Sequence, residues 1–376
     1  MRLSLALAAL AALAAITSTS IVSAQDATKI DLHGFGGWSY GRTSGENVYL
    51  GGLPEGDYRL TQFALNVSAQ ANTNLRINAQ AEWQETDDGT VEQLDFAFAE
   101  LKLSDKVRVR LGQVKQPFGI YTELYTVGTV RPFFSLPQGV YGTVGFVGQS
   151  YKGIGLTGTQ ALSSDWRVDW DLYAGGSDLE KSHVVESYYR GETLDEVANE
   201  IELQSTRDVV GGRIVLRTPV EGLSVGGSAY TGILNEPAAN RRAVGGVQLE
   251  YLNDRLWLRS ELAAEHQVLD EDAAGYYAEA AYFITPKWQG ALQYNSLWNR
   301  YDQILKSNTP SLQLHKETVF GLNYWWSREM VLKLDVHSVD GNRFALPHPE
   351  LLLDKLAAGE LKSHTTLVRF GGQFSF

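Results

Sequence analysis

The end of the chain alternates. Thr366, Val368, Phe370, Gly372, Phe374 and Phe376 fall on one side of a two-residue repeat, and Thr365, Leu367, Arg369, Gly371, Gln373 and Ser375 fall on the other. A strict period of two means a strand with one greasy and one wet face. Its aromatic end suits a membrane interface better than a soluble terminus. Inner segments repeat the pattern. Leu75, Ile77, Ala79, Ala81 and Trp83 oppose Arg76, Asn78, Gln80, Glu82 and Gln84, and Trp166, Val168, Trp170 and Leu172 oppose Arg167, Asp169, Asp171 and Tyr173. In a third, Leu256, Leu258, Leu262 and Ala264 oppose Arg255, Arg259, Glu261 and Glu265. Periodicity alone does not separate a soluble sandwich from a closed barrel whose wet face lines a channel.

The final Phe376, an N-terminal export signal and the breaks between alternating segments do together. Short breaks fall at 72–74, 104–106, 163–165, 219–221, 253–254, 285–287 and 327–329, each rich in Asn, Asp, Ser or Pro, the residues of tight turns. Longer breaks lie between them, around 42–57, 87–91, 116–148, 176–206, 234–242, 270–274, 299–314 and 344–364. Short turns alternating with long loops predict an all-β transmembrane antiparallel barrel of about 16 strands, with periplasmic turns, extracellular loops and both termini on the periplasmic side. Trp166, Trp288 and Trp326 near the turns and Trp38 and Trp298 near the loops would form two aromatic girdles. The fourth strand is ambiguous. Leu94, Phe96 and Phe98 compete with Ala97, Ala99, Leu101 and Leu103 for its outer face, so either a bulge flips the phase or an aromatic face packs inside.

The N-terminus agrees with export. Arg2 precedes an apolar stretch from Leu3 to Ile16, and Val22, Ser23 and Ala24 before Gln25 form an A-x-A-like cleavage site. Residues 1–24 therefore read as a signal peptide and 25–376 as one barrel domain. No second apolar run is long enough to span a bilayer as a helix. Cysteine is absent, so disulfides and thiolate metal sites are excluded. A formal charge of -12 argues against nucleic acid as a partner.

The most distinctive stretch is RLGQVKQPFG at 110–119, followed by TVRPFFSLPQGVYG at 129–142. The first ends a strand and leads into a long loop carrying Arg-Pro and Leu-Pro-Gln. It resembles Gram-negative outer-membrane porins of the broad porin superfamily, including relatives of the phosphate-selective porins. The C-terminal strand ending in Phe376 likewise resembles the closing strand and assembly signal of such barrels.

The resemblance implies a homotrimeric channel in the outer membrane, in contact with lipid and lipopolysaccharide and inserted by the barrel-assembly machinery through Phe376. It implies passive diffusion of ions and small hydrophilic solutes and no cofactor. It also implies that the loop 116–148 folds inward as a constriction, stiffened by Pro117, Pro132 and Pro137. Charged candidates there are Glu123 and Arg131, with Lys115 at the root. Inward-facing wall cations would be Arg76, Arg108, Arg110, Arg213, Arg217, Arg259, Lys333 and Arg369, and facing acids Glu82, Asp169, Asp171, Glu261, Glu279 and Asp335. Cations against acids across a narrow pore would set up a transverse field. The chain departs from the phosphate-selective pattern in charge: 32 Lys and Arg stand against 44 Asp and Glu, and lumen faces mix both signs. Much of the acid excess sits in one loop, with Glu186, Glu192, Asp195, Glu196, Glu200 and Glu202. Two loops read as partly helical, from the capping-box spacing of Thr193 and Glu196 and from 349–358 ending at Gly359.

Two rivals remain. An outer-membrane barrel enzyme, of phospholipase or protease type, would need a His-based site. Of seven histidines only His337, with Asp335 and Ser338 nearby, suggests a dyad, and strand alternation points Ser338 to the opposite face. No His pair has metal-ligand spacing with acids on one face. A surface receptor or adhesin would need a plug or large structured loops, and no segment patterned as a plug lies ahead of the expected first strand at Ile30. Passive transport is the expected function.

Overall fold

The structure, a computed structural model, describes residues 29–86, 89–124, 127–142, 146–182, 201–234, 240–267, 271–301 and 310–376. Sixteen antiparallel strands close into one barrel. The first half comprises β1 (Lys29–Thr43), β3 (Asp57–Asn72), β4 (Leu75–Thr86), β5 (Gly89–Lys102), β6 (Val107–Lys115), β7 (Ser150–Ala161), β8 (Arg167–Ser182) and β9 (Ile201–Arg217). The second comprises β10 (Leu223–Leu234), β11 (Asn240–Leu252), β12 (Leu256–Gln267), β13 (Glu271–Phe283), β14 (Trp288–Tyr301), β15 (Leu314–Trp325), β16 (Met330–Asp340) and β18 (His364–Ser375). The two-residue strands β2 (Asn47–Val48) and β17 (Leu346–Pro347) pair with each other in a separate two-stranded sheet. They tie the first long loop to the last.

All seven short turns use one device. Asn72 Oδ1 accepts from the backbone N–H groups of Asn74 and Leu75 at 2.9 and 3.0 Å, and Asn253 Oδ1 does the same for Arg255 and Leu256. The hydroxyls of Ser104, Ser163, Thr218, Thr285 and Ser327 each accept from the N–H two residues on. A short side chain that satisfies the backbone lets the chain reverse in three or four residues, which is why the Asn and Ser of the Asn/Asp/Ser/Pro breaks mark turns, while Thr218 and Thr285 add the same bond beside Pro219 and Pro286. Closure joins β1 to β18: Phe35 stands opposite Ser375, and Gly34 and Phe376 exchange both backbone hydrogen bonds at 3.0 and 2.9 Å.

The outer surface is apolar. Ile77, Leu156, Ile214, Val247, Leu262, Leu292 and Phe320 point outward and are exposed, with Trp166, Trp288 and Trp326 at the turn end and Trp38 and Trp298 toward the loop end. Such a band suits hydrocarbon, because water would charge it about 25 cal/mol per Å².

The ambiguity of the fourth strand resolves through a bulge. Gln80 pairs with Phe96 but Ala81 with Leu94, so Asp95 is an extra residue in β5. Leu94 therefore faces out while Phe96 and Phe98 face in. Strands also run further than the alternation predicts. β4 runs to Thr86 and β5 starts at Gly89, within the expected 87–91 loop, and β8 runs to Ser182 and β9 starts at Ile201, within the expected 176–206 loop. Glu186, Glu192, Asp195, Glu196 and Glu200 lie outside the described residues, as does the capping box at Thr193, while Glu202 is in β9. The other expected helix is present as Pro349–Ala358, with Pro at its first turn and Gly359 in the left-handed conformation at φ 70°.

Candidate functional site: the lumen and the loop inside it

The segment 116–149, between β6 and β7, lies against the inner wall. Its described residues contain little regular structure: single turns at Thr122–Leu124 and Gly128–Val130 and a short helix at Gln138–Tyr141. Its backbone groups therefore need partners elsewhere. The wall supplies them. Ser228 accepts from Gly119 N at 3.1 Å, Glu261 from Ile120 N at 2.9 Å, Asn295 from Gly139 N at 3.0 Å and Asp335 from Phe134 N at 2.7 Å. Asn323 donates to Pro132 O at 2.8 Å, and Lys333 Nζ donates to the carbonyls of Gly128, Arg131 and Phe133 at 2.9, 2.7 and 3.2 Å. Tyrosines complete the seat. Tyr141 donates to Glu261 at 2.6 Å while its oxygen accepts from the N–H groups of Ile120 and Tyr121. Tyr277 also donates to Glu261, and the Tyr121 hydroxyl bonds Glu279 and accepts from Arg259 at 2.8 Å.

Apolar packing holds the same segment. Phe118, Ile120, Tyr121, Leu136, Val140, Tyr141 and Phe146 form one buried cluster with wall residues that include Tyr173, Val209, Tyr230 and Tyr277. Each such side chain contributes about 1.5–3 kcal/mol relative to exposure. Two glycines permit the close approach. Gly119 sits at φ +61°, where a Cβ would strike Glu261 and the Tyr141 hydroxyl. At Gly139 a Cβ would meet the backbone oxygens of Tyr276 and Ser296 within 2.8 Å.

The residues singled out in the sequence separate into two groups. Arg259, Glu261, Glu279, Lys333 and Asp335 are buried beneath the segment and anchor it, and Arg131 is buried in it. Arg369 joins them, donating to Ser39 at 2.8 Å and lying 5.0 Å from the Phe134 ring. The second group lines β4 to β9; its arginines and Asp169 stay partly open, while Glu82 and Asp171 are buried. Arg110 bonds Glu100 at 2.9 Å and lies 3.8 Å from Glu123; Arg108 lies 3.6 Å from Glu100. Arg213 bridges Asp171 at 2.9 Å and Glu123 at 2.5 Å, and Arg217 pairs with Asp169 at 2.6 Å. Glu82 accepts from Gln62 and from Gln93, and Arg76 donates to Gln70 at 3.0 Å beside the first turn. The motif residue Lys115 pairs with Asp95, the bulge residue, so one ion pair accounts for both the motif's lysine and the odd phase of β5. Glu123 meets Arg110 and Arg213; Arg131 stands apart from the Arg108 and Arg110 pair. Burial would push the Glu123 carboxyl up, but Arg213 and Arg110 outweigh it and hold it below the ordinary value.

One polar cluster escaped the sequence reading. Near the loop end, Glu317 lies 2.7 Å from His337 Nδ1 and accepts from Asn295 at 2.7 Å and from the Tyr49 hydroxyl of the first long loop at 2.8 Å; His315 bonds Asn295 at 3.0 Å. The partner of His337 is thus Glu317 on the neighbouring strand, neither Asp335 nor Ser338, and Ser338 follows the outward phase of Leu334 and Val336. No sequence signal links Tyr49, Asn295, Glu317 and His337, because only barrel closure and loop folding bring them together.

A closed antiparallel barrel of sixteen strands, apolar outside and polar inside, is the architecture of Gram-negative outer-membrane barrels, and the comparisons agree. The chain superposes on the anion-selective porin of Comamonas acidovorans with TM-score 0.57 at 12% identity, covering 93% of this chain and 100% of that one. It is similar to the Salmonella typhi OmpF complex with daunomycin (TM-score 0.57, 16% identity, 93% and 98% covered) and to the outer-membrane channel DcaP of Acinetobacter baumannii (0.56, 8%, 95% and 100%). No protein-family model and no curated protein matches the chain.

Proposed function

We propose that the chain is an outer-membrane porin, a water-filled channel for passive diffusion of ions and small hydrophilic solutes. The observation that carries this reading is the asymmetry of the lumen. A barrel of this strand number is wide enough for water, and the segment 116–149 covers the inner face of β10 to β18 and reaches Tyr173 and Val209 on β8 and β9, while Asn66, Ser68, Asn78, Gln84 and Gln93 on β3 to β5 stay half-exposed or exposed. The segment acts as the constriction, with Glu123, Arg110 and Arg213 at its edge. Export by the signal peptide 1–24, insertion through Phe376 and assembly as a homotrimer among lipid and lipopolysaccharide belong to the same reading. Purified protein added to a planar bilayer in KCl should give stepwise, ohmic single-channel currents. A preparation that inserts into the bilayer and gives no steps would contradict the proposal.

A further inference from the structure

We propose that the open side of the lumen, along β3 to β5, is a binding lane for neutral polyhydroxylated solutes of the sugar class; this rests on the porin reading and narrows it. Three features point there. First, the accessible part of the inner face is amide-rich, and its one central carboxylate, Glu82, is buried and takes hydrogen bonds from Gln62 and Gln93. Asn66, Ser68, Asn78, Gln84 and Gln93 all face inward and are half-exposed or exposed. The register sets Ser68 beside Asn78 and Gln93 beside Glu82, so hydrogen-bonding groups stand about 5 Å apart across strands. Ser68 donates to Asn78 Oδ1 at 2.9 Å and Gln93 to Glu82 at 3.0 Å. An amide carries two N–H donors and an oxygen with two lone pairs, so these contacts leave capacity for hydroxyls, which both donate and accept.

Second, the Asp95 bulge turns an aromatic pair into the same lane. Phe96 and Phe98 lie half-buried with ring centroids 5.7 Å apart, and Phe98 is continuous with Arg110 at 5.5 Å. A flat apolar surface beside a hydrogen-bonding ladder matches a pyranose, which has C–H faces and hydroxyl edges. Third, the bordering charges cancel locally. Arg108, Arg110, Arg213 and Arg217 each lie within 3.8 Å of a carboxylate of Glu100, Glu123, Asp169 or Asp171. A solute with net charge gains little from compensated pairs, whereas a neutral polyol loses nothing to them.

The test uses the full-length protein in planar bilayers, with maltotriose as the neutral probe and citrate as the anionic one. Each effect is expressed relative to the same channel's KCl current. Maltotriose should reduce that current saturably and citrate should not. In Asn66→Leu/Asn78→Leu the half-saturating concentration should rise about tenfold, as expected for losing one or two neutral hydrogen bonds, and Asn66→Gln/Asn78→Gln should restore most of it. Phe98→Ala provides an independent variant with the same expected direction. Equal, non-saturating effects of both probes, or a half-saturation unmoved in every variant, would overturn the lane while leaving the channel intact. Absence of any KCl current would overturn the porin reading and the lane with it.

Discussion

Glu123 and Arg131 are the two charged side chains between residues 116 and 149, and they have opposite fates. Arg131 is buried, whereas the Glu123 side chain keeps about a third of its surface exposed between Arg110 and Arg213. Because the pair is partly solvated, Glu123→Gln should cost about 1 kcal/mol or less in stability. Its effect on permeation should be larger in proportion, since a charge at a narrow point acts strongly on a passing ion. Losing the negative charge should shift the reversal potential in a KCl gradient toward anions; an unchanged reversal potential would remove Glu123 from the constriction. The pH dependence has a definite sign. The carboxyl is held below its ordinary value, so its contribution is complete above the unfolded value of about 4.3 and fades as pH falls through the depressed value. Ion preference owed to Glu123 should be constant from pH 7 down to the ordinary carboxylate range and move toward anions only below it, and Glu123→Gln should abolish that acid shift.

At the scale of the element, the segment 116–149 stays in place because wall side chains replace the hydrogen bonds it does not make with itself. Tyr141→Phe removes one donor to Glu261 and the acceptor of two backbone N–H groups, so about 1–3 kcal/mol of anchoring should be lost. Faster amide exchange at Ile120 and Tyr121, with noisier open-channel current, is the expected readout. Unchanged exchange would mean that the apolar cluster alone seats the segment. The strands and turns were legible in the sequence because Asn, Asp, Ser and Pro mark the reversals and outward residues must be apolar. The root of the segment was legible from Pro117 and Gly119. The anchors were not. Lys333, Asp335 and Glu261 read as lumen charges, since an inward polar residue looks the same whether it meets water or a loop backbone. The Asp95 bulge was visible as a clash of phases, but its partner Lys115 was not, because the pairing depends on register between β5 and β6.

For the whole molecule, the outer band and the inner wall answer to different solvents. Leu262 is central in β12 and exposed, so Leu262→Arg should cost about 2–4 kcal/mol when folding is measured in lipid vesicles by urea titration. A cost within a few tenths of a kcal/mol would place that face in water. In the proposed channel, water and solutes pass along β3 to β5 while the segment 116–149 seals the wall opposite. The chain contains no cysteine, so one introduced thiol can report on each side. Ser68 is half-exposed on the inner face of β3, and Ser228 is buried under the segment, accepting from Gly119 N. Single-channel current should fall when a charged methanethiosulfonate reagent is added to Ser68→Cys and should stay constant with Ser228→Cys. Reaction at Ser228→Cys with none at Ser68→Cys would contradict this arrangement of the lumen.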